Sequence, residues 1–242
     1  MSTLTYTRYE VVRTVRNRYF FIFSLIFPLI LFFTIAGSNR HTRIDGIGFP
    51  LYYMTGMIAF GTLAGVIAGG SRIALERSVG WTRQMRITPL TVPSYFRAKL
   101  TTGYLMAAIS IVLISFAGVS LGVSLDARQW LTMAGLVLVA LIPFAVLGIL
   151  MGHLLTVDSM GPAMGGLTSL FSLLGGAFGP LATSGVLHSI VELLPSYWLV
   201  QAGKTALVGG GWPAKGWLVI AVWTVVLTRL AFVAYRRSSI QA

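Results

Sequence analysis

Residues 129–157 read QWLTMAGLVLVALIPFAVLGILMGHLLTV, 29 positions without one Asp, Glu, Lys or Arg. A helix rises ~1.5 Å per residue, so about 20 apolar residues cross a ~30 Å hydrocarbon core. This run exceeds that length, and it has company. Residues 19–39, 46–71, 100–125 and 159–191 are also free of charge, over 21, 26, 26 and 33 positions, and residues 216–235 are broken only by Arg229. Of the 242 residues, 56% are hydrophobic and 10% charged, against roughly 25% charged in soluble domains. The sequence predicts an all-α membrane protein.

The basic residues punctuate these runs and orient them. With the N-terminus cytoplasmic, the inner side carries Arg8, Arg13, Arg16, Arg18, Arg72, Arg77, Arg83, Arg86, Arg97, Lys99, Arg229, Arg236 and Arg237, thirteen in all. The outer side carries five: Arg40, Arg43, Arg128, Lys204 and Lys215. Because Lys and Arg concentrate in cytoplasmic loops, both termini are expected inside and the number of spans even. Six fit, at about 19–38, 50–71, 97–122, 130–155, 159–180 and 216–235, within one domain covering 1–242. Residues 181–214 are apolar but interrupted by Pro195, Gly203, Gly209 to Gly211 and Pro213, too short for two spans. They read as a re-entrant or outer-leaflet helical hairpin, which must be shielded by protein at membrane depth. Residues 1–18 place Tyr6, Tyr9 and Val12 against Glu10, Arg13 and Arg16, the pattern of an amphipathic helix on the inner surface. Glycines four apart, at 61/65, 65/69, 118/122, 148/152, 161/165 and 175/179, predict close helix packing.

Composition also excludes chemistry. There is no cysteine, and the six acids (Glu10, Asp45, Glu76, Asp126, Asp158, Glu192) and three histidines (His41, His153, His188) are scattered, without metal-ligand spacing. Gly203-Lys204-Thr205 resembles the end of a phosphate-binding loop, but its first glycine would fall at Trp198. Arg229 lies near the inner end of the last span, where a long side chain snorkels to the interface. The net charge of +12 is not gathered into a stripe with interleaved aromatics, so nucleic acid is not an expected partner. An enzyme is not expected, and if the chain moves something uphill the energy comes from a partner.

The longest polar stretch, residues 72–99, reads RIALERSVGWTRQMRITPLTVPSYFRAK. Leu75, Val79 and Met85 alternate with Arg72, Glu76, Arg83 and Arg86 at helical spacing, predicting a short amphipathic helix stopped at Thr88-Pro89, with Pro93 opening the next helix. The pattern Glu76-Arg77, Gly80-Trp81, Arg83-Gln84, Arg86, Thr88-Pro89-Leu90, Tyr95 and Ala98-Lys99 resembles the loop of type-2 ATP-binding-cassette (ABC) permeases, the daunorubicin-resistance type of drug exporter in particular.

That resemblance implies a coupling helix in loop 72–96, between spans 2 and 3, docking on a separate ABC ATPase. The docking residues it marks are Glu76, Arg77, Gly80, Trp81, Arg83, Gln84, Arg86, Thr88, Pro89 and Leu90. It further implies two ATPase copies holding ATP and Mg, a second permease chain forming a homodimer, a multi-pass place in the cell membrane, and drug efflux or antibiotic resistance. No cofactor is expected in this chain. The loop between the fourth and fifth spans is short and lacks Lys and Arg, which leaves little for a second docking contact. An adaptable apolar substrate path, for drugs or lipids, would be lined by Tyr52, Tyr53, Met57 and Phe60 of the second span and Ser169, Phe171 and Ser172 of the fifth. An ion-coupled carrier, or a membrane structural or signalling protein, are the alternative functions.

Overall fold

The computed structural model describes residues 3–16, 22–44, 46–80, 92–179, 184–207 and 210–240. Backbone polar groups in lipid must be satisfied within the chain, and the described residues are accordingly almost all helical. Helix α1 is Thr3–Val15. The first apolar run forms a rod, α2, built from a π-helical turn at Ile22–Ile26, an α-helical turn at Phe27–Leu31 and a second π-helical turn at Phe32–Ala36. Pro28, which has no N–H to donate back along the rod, sits between the two irregular turns.

A small antiparallel hairpin follows, β1 (Arg43–Ile44) and β2 (Ile47–Gly48), with Arg43 opposite Gly48 and Ile44 opposite Ile47. The remaining elements are α3 (Phe49–Ser78), α4 (Val92–Ser120), α5 (Ala127–Ala140), α6 (Ile142–Leu154), α7 (Val157–Gly175), α8 (Gly185–Val191), α9 (Pro195–Leu207) and α10 (Ala214–Ile240). Four stretches are long and apolar enough to cross a membrane: Phe49–Ser78, Ser94–Ser120, Ala127–Leu154 and Ala214–Arg236. The run 129–157, read as one span at about 130–155, lies largely in one such stretch, with a turn at Leu141 inside it. Pro143 cannot donate to the turn before it, so α5 ends and α6 begins there.

Helix α3 is the hub. In its most apolar window 76% is buried, against 28% in α10. Its close approach to α6 is made by glycine: a Cβ on Gly70 would fall 1.9 Å from the Gly148 carbonyl oxygen, and one on Gly152 would fall 2.3 Å from that of Gly70. The 148/152 pair therefore serves packing within this chain, whereas Gly161 and Gly165 of α7 face open space. One apolar core runs through Phe32, Met57, Ile67, Ile114, Phe144 and Leu199. A second, at the other end, joins Tyr6, Ile73, Tyr95, Ile149, Leu227 and Ala231. Outward-facing Phe116, Val112, Leu218 and Phe232 leave α4 and α10 an apolar exterior, as lipid contact requires.

Two expectations change in detail. The loop over 72–96 is shorter, because α3 continues unbroken to Ser78 and α4 begins at Val92. Arg72, Glu76 and Arg77 thus ride on the end of the second-span helix, held there by the burial of Ile73 and Ala74. Trp81, Arg83, Gln84, Arg86, Thr88, Pro89 and Leu90 lie outside the described residues. The stretch 181–214 contains two short helices, α8 and α9, with Glu192 to Leu194 turning between them.

Candidate functional site

The second core closes around a group of ionised side chains. Glu10 comes from α1, Glu76 from the last turns of α3 and Lys99 from the second turn of α4, and these residues are 1%, 4% and 2% exposed. The Lys99 ammonium donates to Glu76 Oε1 at 2.5 Å and to Glu10 Oε2 at 3.0 Å. Tyr95, one turn before Lys99, donates its hydroxyl to Glu76 Oε2 at 2.5 Å. Two arginines complete the cluster: Arg72 Nη1 lies 3.6 Å from Glu10 Oε2, and Arg13 Nη1 lies 3.7 Å from Glu76 Oε1.

Burying an ion costs on the order of several kcal/mol even after relaxation. Here each carboxylate meets an ammonium and a guanidinium, so the charges offset one another only while α1, α3 and α4 stay together. The Tyr6 ring lies 6.2 Å from that of Tyr95. Burial above all, then the charges of Glu76 and Glu10, push the Tyr6 phenol far up, keeping it neutral.

Arg77 extends the joint to a fourth helix. Its Nη1 donates to the carbonyl oxygens of Gly152 at 3.1 Å and His153 at 2.5 Å, groups that the end of α6 would otherwise leave without donors. Next to it, the rings of Phe96, His153 and Tyr235 stand 5.6–6.0 Å apart, joining α4, α6 and α10. Gly80 follows two residues after α3, with φ +71, a conformation that costs glycine nothing and other residues strain. The three described residues of the expected docking set thus differ in place: Glu76 is buried in the charge cluster, Arg77 caps α6, and Gly80 turns the chain out of the helix.

The expected substrate-path residues lie toward the opposite end. Tyr52, Tyr53, Met57 and Phe60 are buried along α3, with Tyr53 stacked on Phe49 at 5.6 Å and Phe60 between Phe27 and Phe178. On α7, Ser172 is buried, Ser169 is exposed and Phe171 sets its ring edge-on to Phe144 at 5.2 Å. An open cleft of about 610 Å³ lies between α1, α3, α4 and α7, beside the charge cluster. Sequence reading did not single out Glu10 and Lys99 as site residues. The signal was present, since Glu10 sits among tyrosines on a helix face and Lys99 ends the quoted loop pattern.

Comparison with known proteins follows the geometry. Residues 1–207 match the family described as "ABC-2 type transporter". A protein of Bacillus subtilis (strain 168) described as "Putative transport permease YvfS" is 29% identical over 227 residues, covering 92% of each chain.

Proposed function

The chain belongs to the ABC-2 type transporter family, and from that premise we propose how it works as the permease of an exporter. Membership makes it the multi-pass membrane subunit of an ABC transporter and implies an ABC ATPase as its partner. In our reading two ATPase chains hold ATP and Mg, a second copy of this permease completes the transporter, and hydrophobic or amphipathic compounds, drugs or lipids, leave the cell. The chain itself neither binds nor hydrolyses ATP. Six spans cross the plasma membrane, α2 and α7 joining the four long apolar helices, with both termini cytoplasmic.

The observation that carries this reading is the Glu10–Lys99–Glu76 joint. A partner docked on the segment between α3 and α4 would push on two helix ends that share one buried ion group. That group makes α1 move with them, and Arg77 passes the displacement to α6. Buried ionisable groups near a membrane also suit an ion-coupled carrier, so the test must separate the two. With the copurified ATPase in vesicles, efflux of an amphipathic dye should require ATP and survive collapse of the proton gradient. Transport driven by that gradient without ATP would overturn the exporter reading.

A further inference from the structure

The cleft beside the charge cluster has a composition that the joint does not explain. Among the described residues its charged lining comprises Arg13, Arg16, Arg72 and Lys99 against Glu10, and Glu76 behind Lys99 adds a second carboxylate in contact. Four cations against two carboxylates leave a surplus of positive charge at a half-enclosed place, where field is screened less than at an open surface. Deeper in, the walls turn apolar, with Met106 of α4 and Met160 and Met164 of α7. Methionine side chains adapt to irregular chains. A volume of about 610 Å³ falls within the roughly 300–1,000 Å³ of sites for small organic ligands.

We propose that this cleft binds an amphiphile with an anionic head, phosphate or carboxylate, the head held by Arg13, Arg16 and Arg72 and the apolar chain laid along the methionines. Guanidinium forks match both oxyanions in geometry. A cationic amphiphile would meet the surplus charge unfavourably, so the cleft selects by sign of charge. Asp158 of α7, the acid nearest in sequence to that wall, is exposed and is not part of the lining. This proposal rests on the membrane placement of the chain and not on the transport cycle, so it stands or falls separately from the exporter reading.

The test uses the full chain in phosphatidylcholine nanodiscs with spin-labelled lipids of equal chain length. Wild type should immobilise labelled phosphatidylglycerol several-fold more than labelled phosphatidylcholine. Arg13→Gln and Arg16→Gln, both at the cleft mouth, should each lower that preference by about fivefold at most, the share of one surface cation. Met164→Trp, which fills the apolar part and leaves every arginine in place, should abolish immobilisation of both lipids at the site. Dodecanoate competing with labelled phosphatidylglycerol would mark a general anionic amphiphile, and no competition would narrow the head to a lipid phosphate; either supports the proposal. Equal immobilisation of the two lipids overturns it. So does a preference that Met164→Trp leaves intact, since arginines attracting an anionic surface need no cleft. Displacement by inorganic phosphate alone also overturns it, the site then being one for anions. If lipid selectivity is absent while ATP-driven efflux persists, this inference fails and the exporter reading does not.

Discussion

Lys99 shows what a single residue does here. It is the only cation in hydrogen-bond reach of both Glu10 and Glu76 among the described residues, and all three are buried. Lys99→Ala would leave two carboxylates facing each other without their shared ammonium. Breaking a buried ion pair in this way costs roughly 3–5 kcal/mol, so the variant should melt well below wild type in detergent. Glu10→Ala should also destabilise, but the double variant should lose less than the sum of the two, because the charge left unmatched in each single variant is then removed. Additive losses would show that the pair does not act as a unit. Arg77 shows the limit of reading residues from sequence. In the string Glu76-Arg77 both look like solvent-facing docking charges, since nothing local reveals that α3 extends to Ser78 and packs on α6. Only the crossing at Gly70, Gly148 and Gly152 brings the Gly152 carbonyl within reach of that guanidinium.

Among the elements, the long helices were legible and the irregular ones were not. Apolar length marks α3, α4 and α10, because a run of about 20 apolar residues in lipid satisfies its backbone within one helix. The turn at Leu141, within what remains one apolar stretch of 28 residues, was not read although Pro143 stands in the run and a proline inside a helix kinks or breaks it. The hairpin at β1 and β2 was missed despite Asp45-Gly46 between Ile44 and Ile47, a strong short hairpin signal, because it occupies so few residues between two spans. Gly46, at φ +78, has the left-handed backbone such a turn demands. Polar contacts hold the unit α8–α9 together and tie it to α10. Glu192 accepts from the Lys215 ammonium, with His188 3.3 Å away, and the Trp198 and Trp223 indoles donate to the Glu192 and Leu193 carbonyls. The hydrogen bond from Lys215 leads in holding the Glu192 carboxyl below its ordinary range. A carboxyl lowered in the folded state stabilises above its unfolded value, near pH ~4.3, and loses that effect as pH falls through the lower folded value. Wild type should therefore protect residues 185–207 from hydrogen exchange better than Glu192→Gln at neutral pH, and the difference should begin to shrink as pH falls below about 4.3 and vanish once the folded carboxyl is protonated. A difference that does not shrink with acid would rule out this contact as its source.

At the scale of the whole molecule, the side-chain contacts fix which helix ends lie together, and the proposed six crossings are argued from that arrangement. Arg77 ties the end of α3 to the end of α6, and the Phe96–His153–Tyr235 rings bring the start of α4 and the late turns of α10 to the same end. At the opposite end, Gln129 at the start of α5 donates to the Leu207 carbonyl at the end of α9, and Glu192 meets Lys215 at the start of α10. The chain leaves α6 at the first end and enters α10 at the second, which supports the proposed crossing between residues 155 and 214. Among the described residues there, α7, 19 residues long and hence about 28 Å, has the length for it. Likewise α1 lies at the first end while Tyr52, early in α3, meets Lys204 of α9, which supports a crossing by α2. Four long apolar helices plus these two make up the six crossings of the proposed topology. The chain has no cysteine, so single introduced cysteines report cleanly. In intact cells, Ser38→Cys, Ala127→Cys and Ala214→Cys should react with a membrane-impermeant maleimide, while Arg8→Cys, Val79→Cys and Leu155→Cys should react only after permeabilisation. If α7 failed to cross, Ala214→Cys would be shielded and the basic end of α10 would be exposed outside. If α2 failed to cross, Ser38→Cys would share the accessibility of Arg8→Cys. Either pattern would reduce the six crossings and move Arg8 or Arg236 to the side that the thirteen-to-five distribution of basic residues assigns as outer.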